Sequence, residues 1–276
     1  MRFTPTLAGM MLAATVATPA WAQDDTAPPP AIKVTGGVTA ITDYRFRGLT
    51  QTNENPAIQG TINVNHKSGL YIGTWASSID GGTDGSTPAL TGYGGAEVDL
   101  YAGFTRTFAS GVGVDVGLLY YFYPGGQTNQ NTDFFEPYGS LSYTVGPFST
   151  KLGFAYAWGG QKGLDFTTGS DEDLYLYGEA SVGIPHTPVT LKGHLGFTNG
   201  SLGLVNLNSA DDTYADWSLT AELVHGPFKV GVSYVDTNIS EQRGSYFKSD
   251  SGFRTTGFAN RYGRGSTVLG YVGFSF

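Results

Sequence analysis

Thirteen charged residues fall where an alternating backbone turns them all to one side. They are Lys33, Asp43, Arg45, Arg47, Glu97, Asp99, Asp115, Glu136, Lys151, Glu179, Lys192, Glu222 and Lys229. Their neighbours at odd spacing are mostly apolar or small, as in Val34-Val38-Tyr44-Phe46 around Lys33, Asp43, Arg45 and Arg47. Side chains on a strand alternate between faces, so the charges and the apolar groups part company. If the apolar face meets lipid, a charge there costs roughly 2–4 kcal/mol near mid-bilayer, which drives all thirteen inward. Six basic and seven acidic groups nearly cancel. Two kinds of chemistry follow. Arg45 and Arg47 opposite a rail of carboxylates set a transverse field that sorts small polar or charged solutes. Alternatively the same groups pair into a salt-bridged plug that holds a structural or adhesive barrel shut.

Other constellations are weaker. An enzyme of the outer leaflet needs a serine, histidine or carboxylate set near the outer rim. Of the four histidines, His66, His186 and His225 sit in or beside short turns, and His194 projects inward with no serine-histidine motif around it. His66-Lys67-Ser68 imitates an H-x-S element but has the composition of a tight turn. The acidic stretch Asp165 to Asp173 matches no EF-hand spacing and reads as a solvated loop. No catalytic residues, metal ligands or cofactors are expected. The longest loop carries Arg243, Lys248, Arg254, Arg261 and Arg264, which could fold into the lumen or clamp lipopolysaccharide phosphates. Nucleic acid is a poor partner. With Arg2 removed, 14 basic residues face 23 acidic ones, a net charge of −9, and no basic stripe appears.

The elements that must position these groups are strands. Forty-one glycines with 14% aromatics disfavour helices and suit a sheet. Period-two alternation predicts strands near 32–46, 57–65, 70–79, 96–108, 112–123, 134–145, 148–158, 174–184, 189–198, 216–224, 228–236 and 266–276. Connections alternate short and long. Turns such as Gly146-Pro147 and His225-Gly226-Pro227 are followed by Gly-, Asn-, Asp- and Ser-rich loops near 47–56, 80–95, 124–133, 159–173, 199–215 and 237–265. That sorting, with an even strand number, is the pattern of outer-membrane barrels. Aromatics form two levels. Tyr44, Phe46, Tyr120, Phe122, Trp217 and Tyr234 lie near long loops, and Phe108, Tyr143, Phe228, Phe274 and Phe276 near short turns. The fold class expected is therefore all-β, a transmembrane antiparallel up-and-down barrel of about twelve strands over residues 32–276.

Targeting agrees. Arg2, the apolar run Leu7–Val16 and Ala20-Trp21-Ala22 lay out a signal peptide over residues 1–22, and residues 23–31 an extended lead-in. Cysteine is absent, so closure must come from pairing and packing. A terminal Phe276 on an alternating strand suits recognition by the barrel-assembly machinery. The expected location is the outer membrane of a Gram-negative bacterium, reached through the periplasm, in contact with lipid and lipopolysaccharide.

The stretch Thr42-Asp43-Tyr44-Arg45-Phe46-Arg47-Gly48-Leu49-Thr50-Gln51 resembles the opening signature of the TorF-type porin family. The likeness continues through Pro56–Gly60, Ser68–Ser77, Glu97–Gly103, Tyr120–Gly125 and Glu136-Pro137-Tyr138, with threonine for serine at 42 and 50. It implies an outer-membrane barrel of the porin kind, and with the inward charges it sets the expectation of passive diffusion of small hydrophilic solutes or ions.

Overall fold

A computed structural model describes residues 30–81, 92–126, 132–164, 172–200, 213–239 and 265–276. The signal peptide and most of the lead-in lie outside them, as do Arg243, Lys248, Arg254, Arg261, Arg264 and most of the Asp165–Asp173 loop. Among these described residues, fourteen strands appear in chain order. The first seven are β1 (Ile32–Ile41), β2 (Arg45–Phe46), β3 (Leu49–Thr50), β4 (Ala57–His66), β5 (Leu70–Gly81), β6 (Gly94–Thr107) and β7 (Val112–Phe122). Then come β8 (Phe134–Val145), β9 (Phe148–Ala157), β10 (Asp173–Gly183), β11 (Val189–Gly200), β12 (Thr213–His225), β13 (Phe228–Thr237) and β14 (Thr267–Ser275).

Twelve of them close into one antiparallel barrel, and β2 with β3 form a separate two-stranded sheet. Each barrel strand pairs with the next along the chain, and β1 returns to β14 to complete the ring. The ring closes in register from Gly37 opposite Ser275 to Ile41 opposite Tyr271, and Gly36 and Phe276 exchange both backbone hydrogen bonds at 3.0 and 2.9 Å. Closure leaves no edge with unpaired amides.

The wall is inside out by the standard of a soluble protein. Large apolar side chains stand exposed on the outer face of every barrel strand, among them Ile58, Leu100, Leu141, Leu195, Leu219 and Val272. Leu152, midway along β9, is 70% exposed. Glu97, Asp99, Asp115, Glu136, Glu222 and Lys229 are buried instead. A patch this large and continuous is a lipid-facing surface. The ten residues of β9, at ~3.3 Å each and tilted by roughly 40°, rise ~25 Å, the height of that surface. Aromatics mark its two borders: Tyr120, Phe135 and Trp158 stack at the long-loop end, and Phe228 meets Phe274 edge-on at the short-turn end.

Inside, tyrosines lie across glycines of the adjoining strand. A methyl group on Gly73 would strike the ring of Tyr101, and one on Gly231 that of Tyr271, each pair directly opposite in register. Such cross-strand pairs both fill the lumen and pin the register.

Candidate functional site

One difference from the expected strand limits decides the site. The wall strand β1 ends at Ile41, not at residue 46. Residues 42–56 fold into the barrel mouth, carrying β2 and β3, so Tyr44 and Phe46 do not belong to the lipid belt. Tyr44 is buried against Trp75 with ring centroids 5.2 Å apart, and Phe46 meets Tyr121 at 6.0 Å. The alternation of residues 42–47 is genuine, but it belongs to a short hairpin whose two sides both meet protein.

The hairpin is built around Asp43. Its carboxylate accepts from Arg45 Nε at 2.5 Å, Thr50 Oγ1 at 2.5 Å and Thr52 Oγ1 at 3.0 Å. Arg45 pairs with Thr50 and Phe46 with Leu49, which leaves Arg47-Gly48 as a two-residue turn. Both turn residues have positive φ, 48° and 80°, the signs of the turn that suits the twist of a tight hairpin. Gly48 also presses against Thr237 and Asp216, where no larger residue fits.

Arg47 then carries the hairpin across the lumen. Its Nη2 donates to Glu136 Oε1 of β8 at 2.5 Å and its Nη1 to Asp173 Oδ2 of β10. The guanidinium lies 4.9 Å from the Phe46 ring centroid and 4.4 Å from that of Tyr175, and the Arg47 carbonyl accepts from Tyr214 at 2.9 Å. The side chain is wholly buried. Burial opposes the charged guanidinium, yet the two carboxylates more than offset this and raise its proton affinity above the ordinary arginine value. Bidentate capture between rings is a geometry that arginine meets and lysine does not.

The lumen nearer the short turns is different in character. Lys151 pairs with Glu179 at 2.8 Å and Lys192 with Glu222 at 2.6 Å. Tyr271 donates to the second oxygen of Glu222 at 2.7 Å, and Lys229 reaches over the Tyr271 ring. Between the two levels, His194 Nε2 lies 2.8 Å from the Tyr175 hydroxyl and 3.2 Å from Asp216 Oδ1. Asp115 accepts from Tyr71 at 2.8 Å. Glu179 is 32% exposed and Lys192 22%, so water reaches this level.

The thirteen expected residues therefore divide. Glu97, Asp99, Asp115, Glu136, Lys151, Glu179, Lys192, Glu222 and Lys229 face the lumen from wall strands. Asp43, Arg45 and Arg47 reach it through the hairpin, and Lys33 stands exposed near the short-turn mouth. Two further carboxylates face the lumen: Asp216, and Asp173, which begins β10 and is buried rather than part of a solvated loop. The same alternation points to both, since Asp173 precedes Tyr175 and Tyr177, and Asp216 precedes Ser218 and Thr220, on their inner faces. With them, nine carboxylates face five Lys and Arg side chains among the described lumen residues, an acidic surplus rather than a balance. His66 Nδ1 lies 2.8 Å from Ser68 Oγ within the β4–β5 turn. Among the described residues, no three His, Asp or Glu side chains gather to hold a metal ion.

A closed twelve-stranded barrel with an apolar belt and a charged interior defines the class of outer-membrane barrels. The chain belongs to the family described as bacterial protein of unknown function (Gcw_chp), whose model matches residues 25–260. No curated protein matches it in sequence. In fold it is similar to the KdgM porin solved in complex with disordered oligogalacturonate, at 10% identity over 88% of this chain and 99% of that one, with a TM-score of 0.52. The NanC porin is similar at 10% identity over 87% of this chain and 98% of that one, TM-score 0.53. The COG4313 outer membrane channel from Pseudomonas putida F1 follows at 11% identity over 92% and 98%, TM-score 0.51. At these identities the likeness is one of fold.

Proposed function

We propose that the protein is a channel of the Gram-negative outer membrane through which small hydrophilic solutes or ions diffuse, with the residue 42–56 hairpin as its constriction. The observation that carries this reading is the charge-lined lumen below the hairpin, where Lys151, Glu179, Lys192 and His194 keep solvent-accessible surface. The likeness of Thr42–Gln51 to the TorF-type porins supports the same reading. In this scheme residues 1–22 direct export and are removed. Phe276 presents the last strand to the assembly machinery, and the short turns face the periplasm. Lipid and lipopolysaccharide surround the wall, and no catalysis is assigned.

A closed structural barrel is the second reading, and one observation favours it: Arg47 is dry and fastened to both Glu136 and Asp173. Conductance of the refolded chain in a planar bilayer separates the two. Single-channel steps are expected, and silence at every voltage sinks the channel. Changing Arg45 and Arg47 to glutamate should then move the reversal potential toward cation selectivity. Unchanged hydrolysis of phospholipid and peptide substrates over background is the expected result of an enzymatic assay.

A further inference from the structure

Two boxes of like composition adjoin on the upper wall. In one, Glu136 and Asp173 hold the Arg47 guanidinium between the rings of Phe46 and Tyr175. In the other, Glu97 and Asp99 project from β6 among aromatic neighbours. Asp99 lies directly opposite Trp75 on β5 and Tyr121 on β7. Tyr44 donates to Glu97 at 3.3 Å while its ring meets Trp75 edge-on. Tyr121, which donates to Glu136 at 3.0 Å, is the partition between the boxes.

The second box differs in its charge. Among the described residues, no Lys, Arg or His side chain pairs with Glu97 or Asp99. Asp99 is 5% exposed, and its Oδ1 has no hydrogen-bond partner. Glu97 and Glu136 add further negative potential at the same point. Removing a carboxylate from water costs several kcal/mol unless a cation or a proton neutralises it. Tyrosine and tryptophan faces attract cations as well. A calcium ion takes 6–8 oxygen ligands, whereas among the described residues no three Asp, Glu or His side chains gather here to hold a metal ion.

We propose that Glu97 and Asp99, with Trp75, Tyr121 and Tyr44, bind an organic cation, a guanidinium or primary ammonium head group, beside the hairpin. The neighbouring box supplies the precedent within the same wall, since its carboxylates and rings already seat a guanidinium. The site deepens the channel reading and rests on it for its place on a permeation path. The solute class it selects is cationic, in keeping with the acidic surplus of the described lumen.

The test is calorimetric titration of the refolded full chain in detergent micelles with agmatine, which carries both head groups, at low salt. Saturable binding is expected, weakened about tenfold by Asp99→Asn and comparably by Glu97→Gln, the scale set by loss of a charge-assisted contact. Asp99→Glu keeps the charge and should restore most of the affinity. Far-UV circular dichroism and the altered mobility of unheated protein on gels establish that each variant is folded. Binding that survives both neutral variants overturns the proposal, and so does displacement of agmatine by an equal concentration of K⁺. A silent bilayer with intact, Asp99-dependent binding instead removes the channel and leaves the site.

Discussion

The two halves of the lumen use the same residue types to opposite ends. Near the long loops, Arg47 joins Glu136 and Asp173 with its side chain wholly shielded from water. Toward the short turns, Lys151 joins Glu179 with accessible surface left on both side chains. The difference is one of dielectric. A dry ion pair is held by its neighbours and is costly to break from one side, whereas a wet pair exchanges with solvent at little cost. Contact with a carboxylate therefore says little about a lumen cation; hydration decides whether it fastens or merely lines.

Arg47→Ala tests that contrast hardest. It strands two buried carboxylates, at about 3–5 kcal/mol, and should free the hairpin, so single-channel conductance rises several-fold while the thermal midpoint falls. Unaltered conductance would take the hairpin out of the path. Leu152→Arg, on the outer face of β9, asks whether the wall around both halves meets lipid. A loss of roughly 2–4 kcal/mol in refolding into vesicles is expected, with conductance of the folded fraction intact. Gly48→Ala puts a methyl where φ is +80° and Thr237 is already in contact. It should cost about 1–3 kcal/mol and loosen the hairpin less than Arg47→Ala does, read as protease sensitivity of the hairpin. Lys151→Met removes a cation whose partner, Glu179, is 32% exposed. Stability should shift by less than about 1 kcal/mol, while the reversal potential moves toward cations. A large stability loss there would erase the distinction between the halves.

Most of the wall was legible. Twelve strands, their sorted turns and the inward face of Glu97, Asp99, Glu136 and Glu222 follow from period-two alternation, because lipid on one side enforces it. The hairpin was not. Thr42–Phe46 alternates as faithfully as a wall strand, and nothing local tells a residue turned toward lipid from one turned toward the far side of its own barrel. The positive φ at Arg47 was equally hidden, since arginine is an uncommon choice for that conformation and is held there by Glu136 and Asp173, distant in sequence. Asp173 fell at the junction of loop and strand, where alternation has just begun and a single residue is the margin of error.

The seam between β1 and β14 has a consequence for how the ring is made. Its contacts join the two ends of the barrel sequence; Gly270 N and Thr42 Oγ1, bonded across it, stand 228 residues apart. Every other pairing can zip along neighbouring segments, but this one must wait until the chain has travelled the whole circumference. Until then two sticky margins, that of β1 and that of the latest strand, are open to any other chain with a free edge. The slow step of assembly is thus the last one, and an escort that shelters those margins matters more to yield than any single contact in the finished wall.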